Sequence, residues 1–161
     1  MTACSIEKQS AIWYKYFRSH VTNTQKCRWQ SERNPCIMNH SYGKTTWLIP
    51  DCYLEPASTG DKISHEAVCV INTSPKDAEI KLTLFFENRE ADNSYRAACP
   101  SMRTHHIRLD RLLSMDGREI PRGVPYALLL ESSTPIVVQY SRLDTSQAEL
   151  ALMTTIAYAV E

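Results

Sequence analysis

The sequence lacks the segments and motifs that mark several common classes of protein. None of its apolar runs approaches the roughly 20 residues that a helix needs to cross a bilayer. No apolar run of signal-peptide length follows a basic start. The 161 residues are enough for one domain with a sizeable core. A cytoplasmic protein is therefore the expectation.

Cysteine is present, but not in a metal-binding pattern. The chain has six cysteines and no Cys-x-x-Cys pair, which argues against a structural zinc site. Reduced thiols suit a cytoplasmic protein. Cys69, inside the apolar run EAVCVIN, is predicted to be a small core residue. The six are Cys4, Cys27, Cys36, Cys52, Cys69 and Cys99.

The formal net charge is zero, but the two parts of the chain differ in sign. Residues 1–37 have a net charge of +4 and residues 38–161 a net charge of −4. The first part shows no sustained hydrophobic period, so we expect an irregular extension, disordered or loosely docked. Two readings of its basic character stay open, a solvated tail and a nucleic-acid-binding arm. A separate alternative is that translation starts at Met38, so that residues 1–37 are not part of the protein. The domain is expected at residues 38–161.

From Gly43 onward, short β-prone runs alternate with turn signals, which is typical of an all-β domain. The run from Ala78 alternates apolar and polar residues, which places Phe85 on the polar face. A loop rich in glycine and proline is expected at 115–125. The predicted strands are 44–50, 63–72, 78–87, 94–100, 103–109, 126–132, 135–142 and 152–160.

These eight strands are too closely spaced for crossover helices, which excludes an alternating βαβ fold. The pattern predicts an antiparallel β-sandwich of the jelly-roll or immunoglobulin type. Two single helical turns are expected between strands. One spans 110–114 with Asp110 as its N-cap, and the other spans 147–149.

The histidines do not predict a metal site. Neighbouring residues of a strand point to opposite faces, so His105 and His106 cannot easily bind one ion together. The same holds for His65 and Glu66. No Gly-x-Ser-x-Gly elbow or recognisable cysteine motif predicts a nucleophile. We therefore expect no catalytic residue, no cofactor and no metal.

Several strands carry polar residues where a plain sandwich would have apolar ones. Buried or half-buried polar groups need partners. Arg142 could pair with Glu66 or Asp144 in a structural network, or the polar residues could line a shallow site for a polar ligand such as a sugar. The candidate ligand-binding residues are His65, Glu66, Thr104, His106, Arg108, Gln139, Arg142 and Asp144.

Three stretches, in this order and spacing, resemble the sensory rhodopsin transducer family. They are ISHEAVCVIN, RTHHIRL and PIVVQYSRLDTSQAELALMTTIAYA. The resemblance covers about residues 41–160, and the last stretch is long and specific. His105 stands where this family leads us to expect lysine, which weakens any electrostatic docking on that face.

The resemblance implies a non-enzymatic protein built as an antiparallel β-sandwich that forms a homo-oligomer, with a tetramer expected. A partner subunit would then cover exposed apolar residues such as Phe85. It also implies a signalling role at the cytoplasmic face of a membrane photoreceptor. Carbohydrate or sugar-acid binding is an alternative, and DNA binding a further one. The net charge of −4 over residues 38–161 argues against DNA.

Overall fold

The computed structural model describes residues 40–161, and these residues form an antiparallel all-β fold without a helix. The predictions for residues 1–37 lie outside the described residues. The strands are β1 (Lys44–Tyr53), β2 (His65–Asn72), β3 (Ala78–Phe86), β4 (Asp92–Cys99), β5 (Arg103–Arg108), β6 (Pro125–Asp144), β7 (Ala151–Ile156) and β8 (Tyr158–Ala159). The predicted fold class is confirmed.

One strand, β6, belongs to both sheets. Its first half pairs with β3 on one side and β1 on the other, and its second half pairs with β2 and β7. Sheet A therefore has the order β4-β3-β6-β1-β8, and sheet B has the order β5-β2-β6-β7. This shared strand is what brings residues of the two sheets to one polar centre.

The prediction of two strands, 126–132 and 135–142, was wrong, because β6 is continuous over 20 residues. The sequence Ser-Ser-Thr-Pro resembles a turn. In the fold, this segment lies between Ser132, where the pairing of β6 with β3 ends, and Val137, where its pairing with β2 begins. Pro135 lacks an N–H, but no ladder partner lies on that side at this point, so the strand tolerates it.

The single predicted strand 152–160 is divided in two. β7 pairs with β6 in sheet B, and β8 pairs with β1 in sheet A. Between them, Ala157 is buried and its N–H donates to the carbonyl of Val138 at 3.1 Å. The chain thus changes sheets at one small residue.

Both predicted helical turns are absent. Residues 109–111 form a turn, and Leu113 then bridges to Glu119. Residues 146–149 form a bend. Asp110 is not an N-cap, because its carboxylate binds Arg108, with Nε to Oδ1 at 2.8 Å and Nη2 to Oδ2 at 2.9 Å.

The core lies between the inner faces of the two sheets. The alternation of β2 places Val68 and Val70 inside, whereas Ile71 is 45% exposed on the outer face. Cys69 is only half-buried on that outer face, so its prediction as a core residue was wrong. Each fully buried large aliphatic side chain contributes about 1.5–3 kcal/mol. Those with no exposure are Leu54, Val68, Leu82, Leu84, Leu109, Leu128, Leu130, Ile136 and Val138.

Candidate functional site

A buried carboxylate, Glu66, is the centre of the polar network in this fold. It lies on the inner face of β2 and has no exposed surface. Its Oε1 accepts hydrogen bonds from the backbone N–H of Tyr53 at 2.6 Å, from Arg142 Nε at 3.1 Å and from the hydroxyl of Tyr140. Its Oε2 accepts from the hydroxyl of Tyr126 at 2.5 Å. We call Glu66 with these four donors the Glu66 hub.

The shared strand explains how the two tyrosines reach one carboxylate. Tyr126 lies in the half of β6 that belongs to sheet A, and Tyr140 lies in the half that belongs to sheet B. Both occupy inner-face positions of their sheets, and both are buried. The Glu66 hub therefore ties β1, β2 and both halves of β6 together.

Arg142 links the Glu66 hub to solvent. Its Nη2 donates to the carbonyl of Asp51 at 3.3 Å and to Asp51 Oδ1 at 3.4 Å. The guanidinium carbon also lies 5.9 Å from the centroid of the Tyr140 ring. The Arg142 side chain is 23% exposed, whereas that of Asp51 is 80% exposed. One end of this arginine is thus held by a buried carboxylate and the other by a surface carboxylate.

The electrostatics of the Glu66 hub keep its donors protonated. Burial, reinforced by the charge of Glu66, raises the pKa of Tyr126. Burial and the hydrogen bond to Glu66 raise the pKa of Tyr140. For Arg142, burial disfavours the charge, but the hydrogen bond to Tyr140 and the nearby negative charges raise its pKa overall. Burial and the charge of Glu66 also raise the pKa of the Cys52 thiol.

The donors of the Glu66 hub leave little capacity for a ligand. Among residues 40–161, every buried side-chain nitrogen or oxygen has a hydrogen-bond partner. Both oxygens of Glu66 are already bound by protein donors. Because a ligand would have to displace one of them, the arrangement suits a structural network.

The eight residues predicted for a ligand site divide between the two faces of sheet B. Opposite residues of antiparallel strands share a face. Pairing of Glu66 with Arg142 therefore places both on the inner face, and alternation adds Asp144 to them. Residues His65, Thr104, His106, Arg108 and Gln139 lie on the outer face. The structure does not bring the two groups together.

Asp144 does not join the Glu66 hub, although it shares its face. Its Oδ1 accepts from the backbone N–H of Ser146 at 2.8 Å. Hydrogen bonding from the side chain and then the backbone of Ser146 lowers the pKa of Asp144. Of the two partners expected for Arg142, the structure shows a hydrogen bond only with Glu66 in the part of the chain that it describes.

The outer-face residues mostly have local partners. Thr104 Oγ1 donates to the carbonyl of Val70 at 3.0 Å, and Gln139 donates to Thr154. Cys69 lies between His106 on β5 and Gln139 on β6 in one cross-strand row. Arg108 binds Asp110, and His65 Nδ1 lies 2.8 Å from the carbonyl of Ile63. Over residues 40–161, the ring of His106 has no hydrogen-bond partner.

Three donors of the Glu66 hub, Tyr53, Tyr126 and Tyr140, were not predicted from the sequence, and neither was the nearby Cys52. A signal for Tyr140 was present, because it lies two residues before Arg142 and so shares its face. No such local signal exists for Tyr126, which reaches Glu66 through the path of β6.

Two further observations concern metal and membrane. Within residues 40–161, no group of three or more His, Cys, Asp or Glu side chains is placed so that it could hold a metal ion. His105 and His106 pair with successive residues of β2 and point to opposite faces, as predicted. None of the elements described for residues 40–161 is a helix long and apolar enough to cross a membrane.

The fold and the Glu66 hub define a class: an antiparallel β-sandwich whose two sheets share a strand around a satisfied polar centre. The chain belongs to the Anabaena sensory rhodopsin transducer family, whose model matches residues 42–159. The resemblance found in the sequence is thereby confirmed.

Two solved structures resemble this one. The structure of Thermotoga maritima 1070 has 34% identity and a TM-score of 0.65, with 74% of this chain and 97% of that chain covered. The Anabaena sensory rhodopsin transducer has 38% identity and a TM-score of 0.58, with 68% of this chain and 96% of that chain covered. No curated protein matches this chain.

Proposed function

We propose that this protein is a non-enzymatic signalling adaptor that binds the cytoplasmic face of a membrane photoreceptor and relays its state. Membership of the transducer family supports this proposal. So does the likeness to a structure named as a sensory rhodopsin transducer at 38% identity. The adaptor would act through protein contacts rather than through chemistry on a substrate.

One observation carries the proposal: the buried polar side chains already have hydrogen-bond partners, whereas a group of apolar side chains is exposed on the surface. On the outer face of sheet A, Leu48 pairs across strands with Tyr158 and Leu129, and Phe85 lies on the same face. Tyr158 is 69% exposed and Phe85 is 44% exposed. Grouped exposed apolar residues mark protein-interaction surfaces. We call Leu48, Phe85, Leu129 and Tyr158 the sheet A patch.

The adaptor is proposed to work as a homo-oligomer in the cytoplasm. A second subunit or the receptor would cover Phe85. The three cysteines among residues 40–161, Cys52, Cys69 and Cys99, are free thiols, which suits a reducing compartment. The family resemblance favours a tetramer.

Titration of the full chain into nanodiscs that hold the rhodopsin of the source organism tests the adaptor. We expect saturable binding, weakened at least about tenfold by Phe85→Ser, since buried aromatic anchors carry much interface energy. Met115→Ser is the matched control, because Met115 is an exposed apolar residue away from the sheet A patch. Absence of binding, or a source genome without a rhodopsin, would refute the photoreceptor role.

The second candidate function is recognition of a small polar ligand, such as a sugar or sugar acid. It would use the outer face of sheet B, where His106 and Arg108 lie two residues apart on β5 and Gln139 lies across Cys69 from His106. The exposed ring of His106 favours this candidate. Glu66, Arg142 and Asp144 lie on the inner face of sheet B, so they would stabilise the sheet rather than contact the ligand.

Thermal unfolding with a panel of saccharides tests this candidate. A ligand at about 100 times its dissociation constant stabilises the native state by about 2.7 kcal/mol. We expect any shift to be lost in His106→Ala and kept in His40→Ala, an exposed histidine outside the strands. No shift with any saccharide would remove the candidate. DNA binding is less favoured, given the net charge of −4 on residues 38–161.

A further inference from the structure

Two arginines share one carboxylate at the end of β5. Arg108, the last residue of that strand, donates to Asp110 from Nε at 2.8 Å and from Nη2 at 2.9 Å. Arg122 lies in the loop before β6, with its Nη2 3.8 Å from Asp110 Oδ2. Among residues 40–161, no other carboxylate forms an ion pair with either guanidinium. These three side chains therefore carry one positive charge in excess, and we call them the Arg108–Arg122 cluster.

Both guanidiniums are held in place by hydrogen bonds within the chain. The two bonds to Asp110 orient the guanidinium of Arg108. Arg122 Nη1 donates to the backbone carbonyl of Glu55 at 2.7 Å and to that of Ser64 at 3.1 Å. Because these side chains are already ordered, a ligand that binds them loses less free energy to the fixing of side-chain torsions.

In the Arg108–Arg122 cluster the positive groups reach solvent and the negative group does not. The side chain of Asp110 is 5% exposed, whereas those of Arg108 and Arg122 are 29% and 33% exposed. Nη1 of Arg108 and Nε of Arg122 make no hydrogen bond with any of residues 40–161. The solvent side of the cluster thus offers guanidinium donors that no carboxylate neutralises.

The neighbouring ionisable side chains do not supply the missing negative charge. Burial raises the pKa of Asp110, but the hydrogen bonds and charge of Arg108 and then the charge of His65 lower it overall. His65 is therefore close enough to add positive charge when it is protonated. Glu55 turns its carboxylate to its own loop, where Oε1 accepts from the N–H of Ala57 at 3.1 Å. An anion from outside the chain would complete the charge balance.

We propose that the Arg108–Arg122 cluster binds the phosphate group of a phosphate monoester. Arginine holds phosphate through paired, charge-assisted hydrogen bonds. A phosphate monoester carries a charge of about −1.5 to −2 at neutral pH, and its three terminal oxygens point in different directions. These oxygens suit two guanidiniums that come from different elements, whereas a planar carboxylate with a single charge suits one. The proposal goes beyond the adaptor function and does not depend on it.

A third arginine in the connection between β5 and β6 has the opposite arrangement of charges. Arg118 Nη1 lies 2.7 Å from Asp92 Oδ2, and Arg118 Nε lies 2.7 Å from Asp116 Oδ2. Here two carboxylates surround one guanidinium, so the group carries one negative charge in excess. Arg118 should therefore not attract an anion, which makes it the matched control for Arg122.

Isothermal titration calorimetry of the full chain with glycerol 3-phosphate and with inorganic phosphate tests the site. We expect saturable binding that Arg122→Gln weakens at least about tenfold and Arg118→Gln leaves unchanged, because hydrogen bonds to charged groups are the stronger ones. Arg122→Lys keeps the charge without the fork and should bind with intermediate affinity. Gluconate, the carboxylate probe, should bind more weakly than glycerol 3-phosphate. Nuclear magnetic resonance of the arginine Nε–H groups needs no variant, and phosphate should shift the signals of Arg108 and Arg122 but not that of Arg118.

Vesicles of phosphatidylcholine, with and without phosphatidic acid, identify the source of the phosphate. Binding of glycerol 3-phosphate in solution would support a soluble ester, and binding only to vesicles that contain phosphatidic acid would support a lipid headgroup. Three results would overturn the proposal: no binding of phosphate in any of these forms, equal weakening by Arg122→Gln and Arg118→Gln, or gluconate binding as tight as that of glycerol 3-phosphate. Arg122→Gln should still bind the photoreceptor, so failure of this site and failure of the adaptor function are distinguishable.

Discussion

The carboxylate of Glu66 and the guanidinium of Arg142 lie opposite each other on β2 and β6, with Arg142 Nε donating to Glu66 Oε1 at 3.1 Å. Two charges removed from water cost free energy, and their attraction offsets this cost only when other hydrogen bonds complete the network. Tyr53, Tyr126 and Tyr140 supply those hydrogen bonds here. Loss of one partner of this pair should therefore lower the free energy of unfolding much more than loss of one partner of a surface ion pair.

Replacement of Arg142 by alanine tests this expectation. We expect the free energy of unfolding to fall by about 3 kcal/mol, because Glu66 is left as a buried charge without its cation. Lys81→Ala is the matched control. Lys81 Nζ lies 3.2 Å from Glu131 Oε2 on the surface, with the two side chains 39% and 48% exposed, and its loss should cost about 0–1 kcal/mol. Urea unfolding of the full chain measures both, and equal losses would contradict a buried network.

The hydroxyl of Tyr126 is the donor to the second oxygen of Glu66. In Tyr126→Phe we expect unfolding to become easier by about 1.5–3 kcal/mol, because a buried carboxylate oxygen loses its charge-assisted hydrogen bond. Tyr158→Phe removes the same atom from an exposed side chain and should change stability by less than about 0.5 kcal/mol. Indistinguishable midpoints for the two variants in urea would show that the hydroxyl of Tyr126 contributes nothing.

The bidentate pair of Arg108 and Asp110 should make stability depend on pH. Burial opposes ionisation of Asp110, but its hydrogen bonds with Arg108 and the charge of Arg108 lower its pKa overall. Because the folded-state pKa is below the unfolded one, this carboxylate stabilises the fold above the unfolded pKa. Its contribution is lost as the pH falls through the folded pKa.

Comparison of the native chain with Asp110→Asn measures this contribution. The difference in unfolding free energy should be constant above about pH 5 and should shrink below about pH 4. In an Arg108→Gln background the same comparison should give a smaller difference at neutral pH. A difference that grows on acidification would mean that the pKa of Asp110 is raised instead.

Gly43 is required by the close approach of β6. Its φ is +103°, and a Cβ at this position would lie 1.9 Å from the carbonyl oxygen of Ile136. We expect Gly43→Ala to destabilise the protein by more than about 2 kcal/mol, because the clash is with backbone. Gly60 also has a positive φ, +70°, but open space around it, so Gly60→Ala should cost only about 1 kcal/mol. Thermal unfolding separates the two, and similar midpoints would argue against the close approach.

Strand content was predictable from this sequence because alternation is a local property. The alternation from Ala78 predicted Ile80, Leu82, Leu84 and Phe86 on one face; the first three are buried, and Phe86 is half-buried against the core. The absence of a helical turn at 110–114 was not predictable in this way. Asp110 has the residue type of an N-cap, but the side chain of Arg108, two positions earlier, takes its carboxylate.

The number of strands agreed with the prediction only because two errors cancelled. The predicted break before Pro135 does not exist, and the unpredicted break at Ala157 does. Both places are where the chain passes from one sheet to the other. A local sequence cannot show this, because it depends on which strands lie beside it.

The sequence by itself determined that residues after Gly43 form alternating strands, and that Glu66 and Arg142 each needed a polar partner. The face of each residue follows from the period of two along its own strand. Only the tertiary structure decided that β6 crosses both sheets and brings Tyr126 and Tyr140 to one carboxylate. The physical reason is that alternation is fixed within a strand, whereas strand order and register depend on packing between segments far apart in the chain.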